Sequence, residues 1–385
     1  MMTEQEFVTL DYGSGGRKTS QLISEMILPL LNCGHSTESG TPALCDGAEL
    51  EIPAGTGRMV FSTDSFVVSP YFFPGGDIGK LSVCGTVNDL AMMGAVPKYL
   101  SLSVILEEGM PFADLKKIVE SIGKTAREAG VRIVTGDTKV VEKGRGDGIY
   151  INTTGIGFLE LTAGMASSTI SAQDPGSNRG MNSAEVISLK PENIQPGDVV
   201  LVSGNVGDHG TAVMLARNPG LGFTFAEGSD AAGGSICSDC APVHREALAL
   251  VRGLGSGLRV MRDPTRGGLA TTLNEFIEGR DDIGIELKES DIPVSPAVST
   301  ACEMLGLDPL YCACEGRLIA ITAPEYAEDA LEILKNLPGR RNARIIGRVT
   351  GGRPEDHPGK LVIRTPLGTG RIAQKLSGAQ LPRIC

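Results

Sequence analysis

The sequence of 385 residues contains no tryptophan, and aromatic residues make up only 4% of it. Proteins that bind single-stranded nucleic acid by stacking depend on aromatic side chains, so this kind of binding is disfavoured. The net charge is −11, and no run of lysine or arginine stands out. A surface that follows a phosphate backbone is therefore not expected, and we predict that the protein binds no nucleic acid.

Long apolar runs are also missing from the chain. No stretch approaches about 18 uninterrupted apolar residues, so no membrane span and no membrane partner are expected. Residues 1–10 carry two acidic residues and no basic one, which is unlike a signal peptide. These absences predict a cytoplasmic protein in which the nine cysteines are mostly reduced thiols.

The hydrophobic pattern alternates between the periods of strands and helices. In the first half it predicts strands at 57–70, 99–107, 131–135 and 149–158, and helices at 79–94 and 112–129. In the second half it predicts a strand at PGDVVLVSG, a strand near 317–322, and helices near 241–253, 267–279 and 325–335. Interleaved strands and helices indicate an α/β or α+β fold.

Composition divides the chain into four segments. Residues 161–186 are rich in Ser, Gly and Asn and have little periodicity, which predicts a flexible insertion. This insertion separates a first domain at 1–160 from a second domain at 187–370. Residues 371–385 have little core-forming pattern after Leu376, so the end of this tail is expected to be flexible.

Four aspartates of the first half share one theme, because most of them lie beside small, Thr or Asn residues near a predicted element end. They are Asp46, Asp64, Asp89 and Asp137. Mg²⁺ prefers oxygen ligands and often shares its shell with substrate phosphates. Each aspartate alone is equally typical of a helix cap or a turn. Four of them in one domain favour a metal–phosphate site.

Two glycine-rich segments are candidates for phosphate binding. The segment GSGGRK at 13–18 has backbone N–H groups that could wrap phosphates, although it lacks the Walker A spacing. A flexible loop fits this segment equally well. The turn TRGG opens a predicted helix, whose N-terminus attracts phosphate, although an ordinary capped helix is the alternative. The residues of this second turn are Asp263, Thr265, Gly267 and Gly268.

Three further side chains are candidates for an acid, a base or an electrostatic clamp, namely Lys139, His209 and Glu315. A single histidine is more often structural than catalytic, and the same holds for an isolated lysine or glutamate. The cysteines form a CxxC at 237–240 and a CxC at 312–314. The CxxC is typical of half a zinc site or of a redox pair. The CxC does not have the spacing of the other half of a zinc site, so we favour thiols without a metal or redox role.

Taken together, the motifs resemble one known family. The segments GSGGRKTSQLI, DGAEL, STDSFVVSPYFFPGG, TVNDLAMMGAVPKY, VRIVTGDTKVV, GDHG, RDPTRGGLATTLNE and the final LPRIC are similar to the HypE family of nickel–iron hydrogenase maturation proteins. The resemblance covers nearly the whole chain except about 160–186, and NDLAMMGA together with PRIC makes it highly specific. The family is similar in fold to aminoimidazole ribonucleotide synthetase, selenophosphate synthetase and thiamine-monophosphate kinase.

The resemblance implies an α+β fold with two domains, like that of aminoimidazole ribonucleotide synthetase. The sheet of the first domain would dimerise into a barrel, and the second domain would be an α/β sandwich. ATP and Mg²⁺ would bind near the dimer interface, where Asp46, Asp64, Asp89 and Asp137 match acidic positions of the family. Further nucleotide contacts would come from Gly15, Gly16, Asn88, Gly136, Thr138 and the TRGG turn.

The resemblance also implies an activity, which is ATP-dependent dehydration of a carbamoyl group on the terminal Cys385. The HypF carbamoyltransferase would load this thiol, and the HypC–HypD complex would accept the cyanide for the hydrogenase iron. Oxide leaves an amide carbon poorly, whereas phosphate leaves readily once ATP has phosphorylated the oxygen. Cys385, Lys139, Glu315 and His209 are the catalytic candidates.

Two other functions fit the same sequence. One is an ATP-dependent synthetase or kinase that acts on a free metabolite, for which Cys385 would be dispensable. The other is a non-catalytic carrier that only binds ATP and partner enzymes. Departures from the family are the long 160–186 segment and the CEGR around Glu315, where NEGK is more usual. The carrier role predicts a freely accessible thiol that ionises without desolvation, favoured slightly by Arg383.

Overall fold

A computed structural model describes residues 7–14, 16–31, 48–161, 187–221, 236–376, 378 and 383–385. The α-helices of these residues are α1 (Arg17–Gln21), α2 (Leu28–Leu31), α3 (Ile78–Met92), α4 (Phe112–Ala129), α5 (Asp208–Arg217), α6 (His244–Leu254), α7 (Gly268–Phe276), α8 (Pro296–Leu305) and α9 (Ala327–Lys335). Gly15, Asp46 and all of the predicted insertion except Leu161 lie outside the described residues.

The strands form a four-stranded sheet, a two-stranded ribbon and a seven-stranded sheet. In chain order they are β1 (Thr56–Phe66), β2 (Phe72–Phe73), β3 (Gly76–Asp77), β4 (Ala95–Glu107), β5 (Arg132–Val141), β6 (Ile149–Glu160), β7 (Val199–Val202), β8 (Leu258–Arg262), β9 (Gly284–Lys288), β10 (Ile319–Thr322), β11 (Arg344–Thr350), β12 (Leu361–Arg364) and β13 (Gly370–Ala373). None of the helices in the described part of the chain is both long and apolar enough to cross a bilayer.

The first sheet has the order β1-β6-β4-β5, and only β4 and β5 run parallel. Helices α3 and α4 cover one face of it, because the apolar stripe of α4 (Leu115, Ile118 and Ile122) is buried there. The opposite face is exposed in the single chain, where 64% of Phe61 and 41% of Ile105 are accessible to solvent. The expected barrel would need a second copy of the chain against this face.

Helix α3 lies between the two sheets and is buried nearly all round, with Lys80 and Asp89 as its only residues that are not fully buried. Its N-terminus is capped by Asp77, whose side chain accepts hydrogen bonds from two backbone N–H groups at 2.7 and 3.0 Å. An apolar helix without a polar face is typical of an element packed on all sides. Here α3 contacts β1 and β6 on one side and α6 and β8 on the other.

The second sheet has the order β13-β12-β9-β11-β7-β10-β8 and is antiparallel except between β12 and β9. Its edge strand β13 pairs with β12 from Gly370 to Ala373. The tail that we expected to begin at 371 therefore begins after Ala373, because Ile372 and Ala373 continue an alternating pattern that the short segment concealed. Residues 377 and 379–382 lie outside the described part.

Most of the predicted elements of both halves are confirmed within a few residues. One strand differs, because β5 does not end at the predicted residue 135 but continues to Val141. Gly136 allows this continuation, since a Cβ at that position would collide with the carbonyl oxygen of Leu102 on the parallel neighbour β4. Helices α5 and α8 were not predicted, since glycines, small residues and cysteines weaken their apolar pattern.

Candidate active site

Three carboxylates lie near enough to feel one another's charge where α3 passes between the sheets. Asp89 of α3 accepts a hydrogen bond from the Ser62 hydroxyl of β1 at 2.8 Å. Asp64, on the same face of β1, forms an ion pair with Arg266 at 3.1 Å between Nη2 and Oδ1. Asp263 follows β8 directly and is only 5% exposed. The sheet, the helix and the second domain each contribute one acid.

The environment of these acids favours their neutral forms. Burial, followed by the nearby charges of Asp89 and Asp64, raises the pKa of Asp263 to about 7. Burial is also the main cause of the raised pKa of Asp64 and of Asp89. The Oδ2 atom of Asp263 is buried and has no hydrogen-bond partner in the described part of the chain. A hard cation would relieve this excess of buried oxygen, so the donor set fits Mg²⁺.

Asp137, the third of the predicted metal ligands that the structure describes, lies elsewhere. Ser65, Asn152, Ser103 and Asp137 form one row across the sheet, whereas Asp64 belongs to the adjacent row with Thr153, Leu102 and Gly136. Adjacent residues of a strand point to opposite faces. Asp64 and Asp137 therefore lie on opposite faces, and three strand spacings, roughly 14 Å, separate them.

Within one chain Asp137 is therefore separated from Asp64, and its role as a metal ligand stays a prediction. Sequence reasoning missed this separation because it cannot give the strand order. Thr138 and Lys139 also lie on β5, and the ammonium group of Lys139 bonds the Asp137 carboxylate at 3.0 Å. That contact lowers the pKa of Asp137. Across the described residues, no three acidic, histidine or thiol groups come close enough to enclose a metal ion.

Glu315 and Cys385 lie beside the acid cluster. Glu315 is 2% exposed, and burial together with the charges of Cys240 and Asp263 raises its pKa well above the usual range. The Cys385 sulfur lies near the guanidinium of Arg266 and the carboxylate of Glu315, and the charges of both act on it. These contacts bring the terminal thiol to the same place as the acids.

The end of the tail is docked, in contrast to the flexible end that we expected. Ile384 is 5% exposed and belongs to the core of the first domain. The Val67 N–H donates to the terminal carboxyl oxygen of Cys385 at 3.1 Å, and Arg383 pairs with Asp147. A single apolar residue followed by a main-chain pairing is enough to dock a terminus, and neither shows in the composition of the tail.

Docking also changes the chemistry of the thiol. Burial, together with the charge of Glu315, raises the pKa of Cys385 to about 12 despite the opposing effect of Arg266. The docked cysteine is therefore a neutral thiol, not the readily ionised one that the sequence suggested. Arg383, which we expected to favour the thiolate, is paired with Asp147 instead.

His209 has no free ring nitrogen for acid–base catalysis. It is fully buried near the start of α5, with Nδ1 2.8 Å from the Ser238 hydroxyl and Nε2 3.0 Å from the carbonyl oxygen of Ile384. Burial lowers its pKa, so the ring is neutral. The structure thus gives this catalytic candidate a structural contact with the tail.

Asn88 likewise has its polar atoms engaged within the chain. Its amide nitrogen donates to the carbonyl oxygens of Ala241 and Glu315, at 3.2 and 3.3 Å, and its oxygen accepts from the Val243 N–H at 2.8 Å. These bonds join α3 to the second domain and hold the backbone of Glu315. The NDLA block therefore contains a connecting residue, Asn88, followed directly by an acid of the cluster, Asp89.

The TRGG turn begins the helix α7 as predicted. Gly267 and Gly268 both have positive φ, at 75° and 61°, a conformation that favours glycine. A Cβ at Gly268 would also lie 2.6 Å from the carbonyl oxygens of Leu310 and Cys312. The Thr265 N–H turns back to the Asp263 carbonyl oxygen at 3.0 Å, so the turn positions Asp263 and Arg266 beside α3.

The first glycine-rich segment is only partly described. Gly13 packs so closely on β5 that a Cβ would collide with the backbone of Val140. Gly16 is the residue before the five-residue helix α1. This segment therefore lies near the β5 edge, the same edge that carries Asp137 and Lys139.

The cysteine motifs are separated in space. Cys237 is exposed, whereas Cys240 is buried beside the thiol of Cys84. The sulfur of Cys312 lies 3.9 Å from that of Cys302, while Cys314 accepts from the Gly207 N–H. Two residues of the site were missed from sequence, Arg266 and Arg217, the second of which donates to the carbonyl oxygen of Arg383 in the docked tail. Arg266 lies inside the TRGG turn, where a base amid glycines was an available signal, but nothing in the sequence marks Arg217.

Comparison with known proteins adds independent information on this site. Residues 45–159 match the family AIR synthase related protein, N-terminal domain, and residues 195–357 match its C-terminal domain. A protein of Cupriavidus necator named carbamoyl dehydratase HypE is 46% identical over 98% of this chain and 95% of its own length. The Escherichia coli protein of that name is 38% identical over 98% of this chain and 99% of its own length.

Solved structures show the same similarity. A crystal structure of hydrogenase maturation protein HypE in complex with ATP covers 100% of both chains, with a TM-score of 0.81 and 42% identity. A structure of a HypE–HypF complex matches with a TM-score of 0.69 and 43% identity, over 83% of this chain and 90% of the other. A thiamine-monophosphate kinase of Stenotrophomonas maltophilia, with 18% identity and a TM-score of 0.55, shares the fold.

Proposed function

Since the chain belongs to the carbamoyl dehydratase HypE family of AIR synthase related proteins, we propose that Cys385 carries the carbamoyl group and that Glu315 removes its protons. The protein is an ATP-dependent carbamoyl dehydratase of hydrogenase maturation. The observation that carries the proposal is the docking of the terminal thiol against Arg266 and beside Glu315. A thiol without a part in the reaction has no need to lie beside a buried carboxylate and an arginine.

The reaction converts a thiocarbamate, Cys–S–CO–NH₂, into a thiocyanate, Cys–S–C≡N. ATP supplies the phosphoryl group that turns the amide oxygen into a leaving phosphate. The carbon–oxygen bond then breaks, phosphate leaves with that oxygen, and both N–H protons are lost to bases. The buried Glu315 suits this task, since a carboxylate with a raised pKa is a stronger base once it is ionised. Arg266 lies where the sulfur and the developing negative charge need a cation.

Mg²⁺ would be held by Asp64 and Asp89, with Asp263 close behind them, and it would neutralise phosphate charge during the transfer. The relative crystallised with ATP supports a nucleotide in this chain too. The TRGG turn is the best-placed candidate for phosphate contacts, because it presents the start of α7 next to the acids. Asp46 and Gly15 keep their predicted roles as proposals.

Asp137, Thr138 and Lys139 would act from a second copy of the chain. Asp137 and Lys139 lie on the exposed face of the first sheet together with Phe61 and Ile105, which are apolar and exposed, whereas the side chain of Thr138 points to the opposite face. An exposed apolar sheet face indicates an interaction surface. A homodimer through this face would cover it and bring the β5 residues of one copy toward the nucleotide of the other.

The two states of the tail would serve different partners. A docked thiol with a pKa of about 12 is a poor nucleophile, so loading by a HypF-type carbamoyltransferase requires the undocked tail. The HypE–HypF structure of a relative supports this partner. Transfer of the cyano group to a HypC–HypD-type acceptor in the cytoplasm would likewise use the undocked tail.

The test is the mass of the intact protein after incubation with ATP, carbamoyl phosphate and the carbamoyltransferase. We expect a thiocarbamate on Cys385 without ATP, and a cyano group in place of the thiol hydrogen with ATP. Cys385→Ala should acquire neither, whereas Cys237→Ala, which changes an exposed thiol, should acquire both. A small phosphorylated product and an unmodified chain would instead indicate the metabolite kinase. A thiocarbamate that never loses water would indicate the carrier.

A further inference from the structure

The last three residues of the chain are held through their main chain. Besides the bond from Val67 to Cys385, the Ser69 N–H donates to the carbonyl oxygen of Arg383 at 3.4 Å. Two side chains of α5 complete this set of contacts. His209 bonds the carbonyl oxygen of Ile384, and Arg217 donates to that of Arg383 at 2.7 Å.

A relay of hydrogen bonds sets the tautomer of His209. The carbonyl oxygen of Ile384 can only accept, so Nε2 of the neutral ring carries the hydrogen and donates it. Nδ1 therefore accepts from the Ser238 hydroxyl, whose oxygen in turn accepts from the Cys240 N–H at 3.0 Å. When the tail leaves, a buried donor loses its partner, which disfavours the undocked state.

Arg217 links the tail to the segment that receives it. Its guanidinium donates to the Ser69 carbonyl oxygen from Nε at 2.9 Å and from Nη2 at 2.7 Å, and Nη2 also reaches Arg383. His209 and Arg217 are eight residues apart on α5 and therefore lie on the same side of the helix. One helix thus presents both side chains to two successive carbonyl groups of the tail.

We propose that α5 is a receptor for the docked tail and that His209 and Arg217 are positioning residues that hold Cys385 at Glu315 for dehydration. This inference rests on the proposed carrier role of Cys385. Because both side chains contact carbonyl oxygens of the main chain, the receptor does not distinguish a free thiol from a carbamoylated one. It sets how long the tail stays docked, and the chemistry at the sulfur remains with Arg266 and Glu315.

The first experiment measures docking without any catalysis. Iodoacetamide alkylates Cys385 only in the undocked tail, and mass spectrometry of the terminal peptide gives the rate in the native full-length protein. The amide nitrogen of glutamine reaches the place of Nε2, whereas that of asparagine reaches only the place of Nδ1. We therefore expect His209→Asn and Arg217→Met to raise the alkylation rate about tenfold, and His209→Gln to stay near the native rate.

Arg341→Met, which changes an exposed arginine of the second domain, is the matched control and should leave the alkylation rate unchanged. Equal rates for His209→Asn and His209→Gln, or an unchanged rate for Arg217→Met, would overturn the receptor. A His209 variant that fails to fold is recognised because all of its buried cysteines are alkylated. In that case the alkylation rate of Arg217→Met decides whether α5 holds the tail.

The second experiment separates positioning from a general loss of structure. With chains loaded beforehand by the carbamoyltransferase, His209→Asn and Arg217→Met should dehydrate the thiocarbamate about tenfold more slowly, while their loading is as fast as or faster than that of the native chain. Slower loading in parallel with slower dehydration would contradict a positioning role. If the native chain is never loaded, the proposed function fails, but the alkylation rates still test the receptor.

Discussion

Asp263 and Glu315 each keep one carboxylate oxygen buried without a hydrogen-bond partner in the described part of the chain. At the scale of the residue, burial therefore controls the chemistry of this site more than pairing does. The same burial raises the pKa of the docked Cys385 to about 12. A cation and a phosphate would change all three protonation states together, since each group senses the charge of another.

Asp263→Asn should change the dependence of stability on pH. The unfolded carboxyl ionises near its ordinary pKa of 3.8, while the folded one ionises at about 7. The folded state is therefore relatively most stable below pH 3.8 and loses stability as the pH rises through 7. The variant lacks this loss, so its melting temperature relative to the native protein should increase from pH 4 to pH 8 in EDTA.

Asp137→Asn is the control for this prediction. Its pKa is lowered by Lys139, so the native carboxylate stabilises the fold above its unfolded pKa and loses that effect as the pH falls through the folded pKa. The melting temperature of this variant relative to the native protein should therefore not increase as the pH rises. Parallel melting profiles for the Asp263 variant and the native protein would mean that the buried carboxyl does not titrate in this range.

Glu315→Gln should separate loading from dehydration. Glutamine has nearly the same shape but takes up no proton, so cyano formation should slow about a hundredfold or more while the thiocarbamate accumulates. Quenched samples analysed by intact mass give both species over time. Glu325→Gln, at an exposed position, should behave like the native chain. Normal cyano formation in the Glu315 variant would assign the base to another residue.

At the scale of the element, α3 organises the site. It contributes Asp89, passes under Asp64 at Gly85, and fixes the backbone of Glu315 through Asn88. A Cβ at Gly85 would come within 2.8 Å of the Phe66 ring, so this helix can approach β1 only with glycine there. Any shift of α3 would move the acids of the first domain relative to the base of the second.

Asn88→Leu should destabilise the protein. The Val243 N–H and two carbonyl groups would lose their buried partner, which costs about 3 kcal/mol of unfolding free energy. Urea unfolding measures this loss, and Asn342→Leu, on an exposed asparagine, should change the value by less than about 0.5 kcal/mol. If stability were unchanged and ATP binding were weakened, Asn88 would be a nucleotide-binding residue, as the family resemblance implied.

At the scale of the whole molecule, the single chain leaves one sheet face and one set of β5 residues without a role. Asp137 and Lys139 pair with each other on that face, and they lie away from Asp64, Asp89 and Asp263 in the described part of the chain. The proposed homodimer would explain both features at once, because it would bury Phe61 and Ile105 and complete the nucleotide site from two chains.

Mixing variants tests this arrangement. Asp89→Asn and Asp137→Asn should each weaken Mg²⁺–ATP binding in calorimetry. If the two residues act across the interface, a heterodimer of the two variants contains one intact and one doubly altered site. Chains that are mixed, unfolded together and refolded should then recover up to about a quarter of the native sites, since half of the dimers are heterodimers.

Recovery should be absent when either variant is refolded alone. Light scattering must show a dimer in every sample. If the mixture recovers no sites, Asp137 does not complete the site of the other chain. Normal ATP binding by both single variants would reject the two residues as ligands.

The sequence alone determined much of this protein, because its strongest signals are local. Period and composition predicted α3, α4, α7 and the strands of the first sheet, since each of these elements contains its own apolar pattern. The motifs and the terminal PRIC indicated the family, its reaction and the acids Asp64, Asp89 and Asp263. The TRGG turn was also readable, because its glycines serve a backbone conformation that few other residues adopt.

Only the tertiary structure decided which of these residues meet. Strand order and register put Asp137 on the far edge and the opposite face from Asp64, and neither quantity is encoded in local periodicity. The docking of Ile384 and Cys385 depends on a main-chain ladder with residues distant in sequence, so composition predicted a free tail instead. Burial, which arises only when both domains pack together, then made His209 a neutral contact for that tail and Cys385 a protonated thiol.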